Sequence, residues 1–280
     1  MSMPLIGFGT WVDLESGQKP YIMGPVSLTA LEVGYKHFDM AYNYQTEQFV
    51  LGSILDSGIS REQIFLTNKS SNAPELDEVK SHLFQIGYYN LFLLHHPPFT
   101  TGKEFEEDIL REWTQMNKLL NSGLVRAIGV SNFYHHQIQI LLNLCEKFDL
   151  IKPCVNQIEL HPFNQNWNLV SFCQQNGIQI VAHTPLGGLA SGYVLQSDII
   201  RQIAQEIGAT PGQVVLASTM KIGIGAIPRS LNKDRMIENL NSVNFISKIT
   251  QEYLDRLRQL DIGVPMVILA NAAFEMDAHV

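Results

Sequence analysis

The chain reads as an α/β protein, a (β/α)8 TIM barrel forming a single domain over residues 1–280. Three observations predict it. Its 280 residues suit one such barrel, which typically takes about 250. Short apolar runs alternate with longer helical patterns. No Gly/Ser/Pro-rich linker or low-complexity stretch divides the chain.

The eight expected strands lie at 5–9, 36–40, 64–68, 91–95, 125–130, 154–158, 178–183 and 225–227. Most are apolar throughout, as strands buried on both faces should be. Between them, 104–120 carries Phe105, Ile109, Trp113, Met116 and Leu120 at helical spacing. Segments 134–148 and 198–207 read the same way. Pro25, Pro74 and Pro211 stand where first-turn prolines are tolerated, and Gly58, Gly87, Gly123, Gly177 and Gly208 follow helical patterns as stops. A doubly wound dinucleotide fold would show GxGxxG after its first strand. Here Gly7-Phe8-Gly9-Thr10-Trp11 has no third glycine, and Gly223-Ile224-Gly225 precedes a strand instead of a helix.

Composition narrows the function. Hydrophobic residues make up 45%, enough for a sizeable core, and net charge is −8 with no basic run. A nucleic-acid partner, which needs clustered cations, is disfavoured. No apolar stretch approaches the roughly 18 residues of a membrane helix, so no membrane partner is expected. The first residues lack the pattern of a signal peptide. Cys145, Cys154 and Cys173 are odd in number and widely spaced, which fits reduced thiols. The expectation is a cytoplasmic monomer acting on a small molecule.

Barrel active sites form at the C-terminal strand ends. Asp39, Lys69 and His95 end the second, third and fourth expected strands, and Tyr44 follows Asp39 closely. Each residue alone has a structural reading: Asp39 as a turn cap, Lys69 as a solvated cation, His95 as a core histidine. Together they suit proton transfer to a carbonyl. An ammonium beside a phenol lowers its pKa, so Lys69 is expected to activate Tyr44 as general acid. Asp39 would hold Lys69, and His95 would position the carbonyl oxygen. His95 and His96 are expected to point to opposite faces of a strand and so not to share a metal; none is expected.

At this point the sequence resembles the aldo-keto reductase family over nearly its whole length. Gly34-Tyr35-Lys36-His37-Phe38-Asp39-Met40-Ala41 with Tyr44, Glu47 and Gly52 is similar to the family's first signature. Phe65-Leu66-Thr67-Asn68-Lys69 and Leu93-Leu94-His95-His96-Pro97 resemble the segments with the catalytic lysine and histidine. Gly123 to Phe133, Asn156 to Pro162, and Ile227-Pro228-Arg229-Ser230 with Arg235, Glu238 and Asn239 match as well.

The resemblance implies an NADPH-dependent oxidoreductase that reduces an aldehyde or ketone to an alcohol. It implies that Ser131, Asn132 and Gln157 hold the nicotinamide carboxamide, although Ser131-Asn132 would also suit a helix N-cap. Arg229, Ser230, Asn232 and Arg235 would meet the 2′-phosphate, and Glu238 and Asn239 the adenine. Thr10, Trp11, Thr184, Leu186, Gly188, Ile227, Pro228 and Leu231 complete the implied NADPH/NADP+ contacts. His161 reads as structural. The alternative is an NADP(H)-binding sensor or regulatory barrel with incidental turnover.

The chain departs from the family pattern at His183, where a tyrosine usually stacks on the nicotinamide. An unperturbed histidine there titrates near pH 6.5 and would repel the oxidised ring when protonated. His96 and Ser71 replace aromatic pocket residues, while Trp11 keeps its wall; a more open and polar substrate pocket is expected. The tail, 262–280, is expected to reach the site through Phe274 or Met276.

Overall fold

The computed structural model describes residues 2–14, 16–83, 85–188, 191–263 and 265; Phe274 and Met276 lie outside them. Eight strands form one sheet in sequence order: β1 (Phe8–Gly9), β2 (His37–Asp39), β3 (Phe65–Ser70), β4 (Leu91–Leu94), β5 (Ile128–Ser131), β6 (Val155–Glu159), β7 (Gln179–His183) and β8 (Gly225–Ile227). Every paired neighbour is parallel. A parallel bridge between Ile6 and Ala226 closes the ring, with Gly7 N–H donating to Ala226 O at 2.8 Å and Ala226 N–H to Leu5 O at 2.7 Å.

The helices are α1 (Met23–Val33), α2 (Glu47–Asp56), α3 (Leu76–His82), α4 (Gly102–Asn121), α5 (His135–Phe148), α6 (Trp167–Gln175), α7 (Ser191–Gln196), α8 (Asp198–Ile207), α9 (Pro211–Lys221), α10 (Lys233–Leu240) and α11 (Gln251–Arg258). In α4 Phe105, Ile109, Trp113 and Met116 of the expected stripe are buried, while Leu120 is only partly buried and Leu119 is buried instead, and Trp113 Nε1 donates to Ile151 O at 2.8 Å. Pro211 is the first residue of α9, behind a Thr210 cap. Pro25 sits two residues into α1, whereas Pro74 precedes α3 and its cap Glu75. Gly208 ends α8 at φ 68°, a conformation glycine adopts without steric cost.

Most strands are apolar on both faces, as expected, and their side chains alternate between two separate apolar layers. Their outward residues, among them Leu66, Phe92, Ile128, Ile180 and Ala182, join the helices in one apolar layer. Their inward residues Phe65, Leu91, Leu93, Val155, Val181 and Ile227 form a separate plug in the lower barrel. Both faces are apolar there, so the alternation is hidden in the sequence. Gly129 stands against this plug: a Cβ there would lie 2.6 Å from Val155 O and 2.8 Å from Leu93 Cδ2. Higher up the same inward rows continue as Asp39, Lys69, Ser131, Gln157 and His183. Strand pleating therefore aims them into one mouth.

Candidate active site

The ion pair at the centre of the mouth is fully enclosed. Lys69 Nζ donates to Asp39 Oδ1, and Gln157 Nε2 donates to Asp39 Oδ2 at 2.7 Å. Thr10 fastens the strand end beneath, giving its N–H and Oγ1 to Asp39 O at 3.1 and 2.8 Å. An isolated buried ammonium would cost several kcal/mol; burial pushes the Lys69 pKa down, and the Asp39 charge opposes that shift.

Tyr44 ends a 3-10 turn, Tyr42–Tyr44, just beyond β2. Lys69 Nζ lies 5.2 Å from its ring centroid, and the His95 ring meets it edge-on at 5.6 Å. The expected lowering of the Tyr44 pKa by Lys69 does not occur. Burial, then the Asp39 charge, hold it well above the usual phenol range. The ammonium is neutralised by Asp39, so the phenol keeps its proton at neutral pH.

His95 is buried, its N–H donates to Ser70 O at 2.9 Å, and its Nδ1 has no hydrogen-bond partner among the described residues. Burial, then Lys69, push its pKa well down, leaving a neutral imidazole. Because β4 stops at Leu94, the strand alternation stops too. His95 and His96 do not face opposite ways: their rings stack at 4.5 Å and 7°. Among the described residues no group of three or more His, Cys, Asp or Glu is placed to hold a metal.

The end of β5 turns sharply. Asn132 adopts φ 62°. Its Nδ2 donates to His95 O at 2.9 Å and to Ser131 Oγ at 3.1 Å, while Ser131 Oγ donates to Gln157 O at 2.8 Å. Ser131-Asn132 is not the N-cap of α5; Tyr134 is, its N–H donating to Gln137 Oε1 at 2.9 Å. His183 ends β7, and its Nε2 lies 2.9 Å from Asn132 Oδ1. Burial pushes its pKa down to about 4, so the expected titration near pH 6.5 is corrected. Thr184, at φ 54°, is followed by Leu186 and by Gly188, also at φ 54°. His161 is buried against Glu159 Oε1 at 3.0 Å.

Ile227, the last residue of β8, is buried, and just beyond it Pro228 O accepts from Gly9 N at 3.1 Å. Arg229 Nη2 donates to Gln18 Oε1 at 2.5 Å, its guanidinium lies 5.7 Å from the Trp11 ring centroid, and its Nε is buried with no partner among the described residues. Leu231 is exposed. Ser230 and Asn232 shape the entry to α10, with Asn232 Oδ1 accepting from Arg235 N at 3.0 Å. The Arg235 side chain forms no ion pair with the described residues. Glu238 Oε1 accepts from Thr210 Oγ1 at 2.5 Å, and Asn239 is buried.

Ser71 and His96 line one cavity of about 160 Å3, with Asn72, Phe99 and Arg111. Trp11 is absent from that lining, is 46% exposed and packs beside Arg229. Two residues gain roles that the sequence did not reveal. Gln18 meets Arg229 across most of the chain, a contact with no local signal. Glu47, named only as part of a motif, accepts from Asn68 Nδ2 at 2.8 Å, from the Tyr89 hydroxyl and from His82 Nδ1 at 2.7 Å. It thereby anchors the residue next to Lys69.

A sequence model of the aldo/keto reductase family matches residues 6–262. The chain is 35% identical to 9,11-endoperoxide prostaglandin H2 reductase of Trypanosoma cruzi, over 92% of this chain and 87% of that protein. It is 33% identical to glyoxal reductase of Bacillus subtilis, over 93% and 90%. Among solved structures, MGS-M4, an aldo-keto reductase from a Medee basin deep-sea metagenome library, superposes with a TM-score of 0.83 at 30% identity, over 94% and 93% of the two chains. A mutant of Gox0644 in complex with NADPH gives 0.78 at 29%, over 92% and 90%.

Proposed function

We propose, from the fact that this chain belongs to the aldo/keto reductase family, that its buried Asp39–Lys69 pair and Tyr44 serve the reduction of an aldehyde or ketone to an alcohol. The enzyme is an NADP-dependent oxidoreductase, and NADPH when bound supplies the hydride. The observation that carries the reading is the chain of contacts at the barrel mouth from Asp39 to Lys69, from Lys69 to the Tyr44 ring and from that ring to His95.

The chain's own part is proton transfer and orientation. A phenol held above its usual pKa keeps its proton at neutral pH and is the weaker acid for it, so its transfer waits for charge to develop on the acceptor. Tyr44 gives that proton to the carbonyl oxygen as negative charge develops there, and Lys69 offsets the phenolate left behind. Asp39 and Gln157 keep Lys69 in place. His95, neutral, offers a ring N–H to the carbonyl oxygen.

The residues present fit the dinucleotide. Among the described residues the Arg235 guanidinium, beside the N-terminus of α10, makes no ion pair, and the buried Arg229 Nε has no partner. Both suit the 2′-phosphate, with Ser230 and Asn232 alongside. Ser131, Asn132 and Gln157 offer the donors and acceptors a carboxamide needs. Thr10, Trp11, His183, Thr184, Leu186, Gly188, Ile227, Pro228, Leu231, Glu238 and Asn239 complete the proposed cradle. Small carbonyl compounds entering past Ser71 and His96 are the proposed substrates. Action as one barrel domain in the cytoplasm without a partner subunit is part of the same proposal.

The test is NADPH oxidation over aliphatic, aromatic, sugar and dicarbonyl substrates. Turnover with at least one class supports the reading. NADPH binding without turnover across the panel would favour a sensor instead.

A further inference from the structure

The imidazole of His183 has both ring nitrogens engaged, and the chemistry of its neighbours fixes which one carries hydrogen. Asn132 Nδ2 donates to the carbonyl of His95, so the amide cannot be turned round. Its Oδ1 therefore faces His183 Nε2 at 2.9 Å. An amide oxygen only accepts, so Nε2 carries the hydrogen. Nδ1 then holds a lone pair and accepts from Thr184 Oγ1 at 3.1 Å.

The two partners share a backbone feature. Asn132 and Thr184 both adopt left-handed conformations, at φ 62° and 54°. That region is rare for residues other than glycine, and for a β-branched residue such as Thr184 it is a genuine outlier. Such strain persists only where the surroundings enforce it. Asn132 follows β5 and Thr184 follows β7, strands separated by β6. One imidazole thus ties together two strained strand ends that share no backbone hydrogen bonds.

We infer that His183 is a positioning residue: by donating from Nε2 to Asn132 Oδ1 and accepting at Nδ1 from Thr184, it fixes the Asn132 amide for recognition of the nicotinamide carboxamide. This rests on the reading above that Asn132 meets that group. With both in-plane nitrogens committed, only the faces of the ring are left to pack against a nicotinamide, and they carry no selectivity for its carboxamide.

Three variants separate the edge of the ring from its face. His183→Gln keeps a donor at the position of Nε2 but has no ring. His183→Phe keeps a flat ring but has no donor. Asn132→Ala removes the oriented amide. The readout is binding affinity by fluorescence titration for NADPH and for its reduced 3-acetylpyridine analogue, which lacks the carboxamide NH2. The preference for NADPH should fall about three- to ten-fold in the Phe and Ala variants, the scale of one neutral hydrogen bond, and survive in the Gln variant. A second readout needs no nucleotide or variant: nitrogen-15 shifts of the free protein's imidazoles should show His183 neutral with hydrogen on Nε2.

Hydrogen on Nδ1 in the free protein would overturn the proposal. So would a preference kept by Phe and lost by Gln, which would assign the selectivity to the ring face. If Asn132→Ala loses the preference and His183→Phe keeps it, the clamp fails while the carboxamide reading stands. If Asn132→Ala keeps it, the carboxamide reading fails and the clamp with it.

Discussion

The lower and upper halves of this barrel are built from the same strands and teach different lessons. Below, inward positions carry Phe65, Leu91, Leu93, Val155 and Val181, a dry plug. Above, one or two steps along the same rows, they carry Asp39, Lys69, Gln157 and His183. The backbone is held alike in both halves, since β2 to β7 are paired on both sides and the chain just before β1 bridges to β8 at Ile6 and Ala226. What changes is the inward side chain. The plug holds the ring at a fixed cross-section, which allows the mouth to hold groups that would otherwise be destabilising.

That division can be broken from above. Lys69→Met leaves Asp39 buried with only Gln157. Removing one partner of a buried pair typically costs about 3–5 kcal/mol of stability, and turnover should also drop by at least about a hundredfold. Chemical denaturation and single-turnover kinetics check both. A variant that stays as stable as the parent would show that the pair is hydrated in solution and not buried. Tyr44→Phe is the sharper companion: turnover should fall about 10²–10⁴-fold, with NADPH affinity, measured by fluorescence titration, nearly kept. Near-normal turnover would remove Tyr44 from the chemistry.

The division can also be broken from below. Leu93→Ala opens a cavity in the plug and should cost about 2–5 kcal/mol. Turnover per folded molecule should persist. Loss of turnover without loss of stability would mean that the halves are not separable.

Smaller effects refine the picture. Arg235→Ala should weaken NADPH binding by about 1.5–3 kcal/mol, the scale of a hydrogen bond to a charged group, and NADH binding much less. Equal losses in calorimetric titrations would place Arg235 away from the 2′-phosphate. The last effect is one of acidity, and it joins the halves. Burial pushes both His37 in the interior and His183 at the mouth down to about 4. Well above pH 6.5 neither binds a proton, folded or unfolded. Between about 6.5 and 4 the unfolded chain takes up protons that the folded one refuses, so stability falls as pH falls. Each histidine contributes at most about 1.4 kcal/mol per pH unit. Melting temperatures over that range should drop less steeply in His37→Gln; an unchanged slope would remove His37 from the account.

Sequence alone conveyed the number of strands, because runs buried on both faces are apolar and lie between amphipathic helices. It conveyed that Asp39, Tyr44, Lys69 and His95 gather at the barrel mouth, because all four stand at or just beyond successive strand ends. Boundaries were less legible. The fifth strand was expected from Val125, but Val125 makes only one isolated bridge, to Tyr89, and regular pairing starts at Ile128. The stacking of His95 on His96 was hidden by one residue of strand length. The hold of Asp39 on Lys69 follows from two successive strand ends, whereas the links from His183 to Asn132 and from Gln157 to Asp39 join residues far apart in sequence. No local pattern encodes those two contacts.

The seam between Ile6 and Ala226 has a consequence for biosynthesis. During translation the first strand leaves the ribosome long before its partner exists. Until the eighth strand emerges, the growing sheet has two bare borders with unpaired N–H and C=O groups, an invitation to pair with other chains. Arg229 and Gln18 meet only after the same event. A nascent polypeptide halted before residue 226 should therefore be both unable to assemble the nucleotide cradle and prone to aggregate, whereas a few dozen further residues would relieve both defects together.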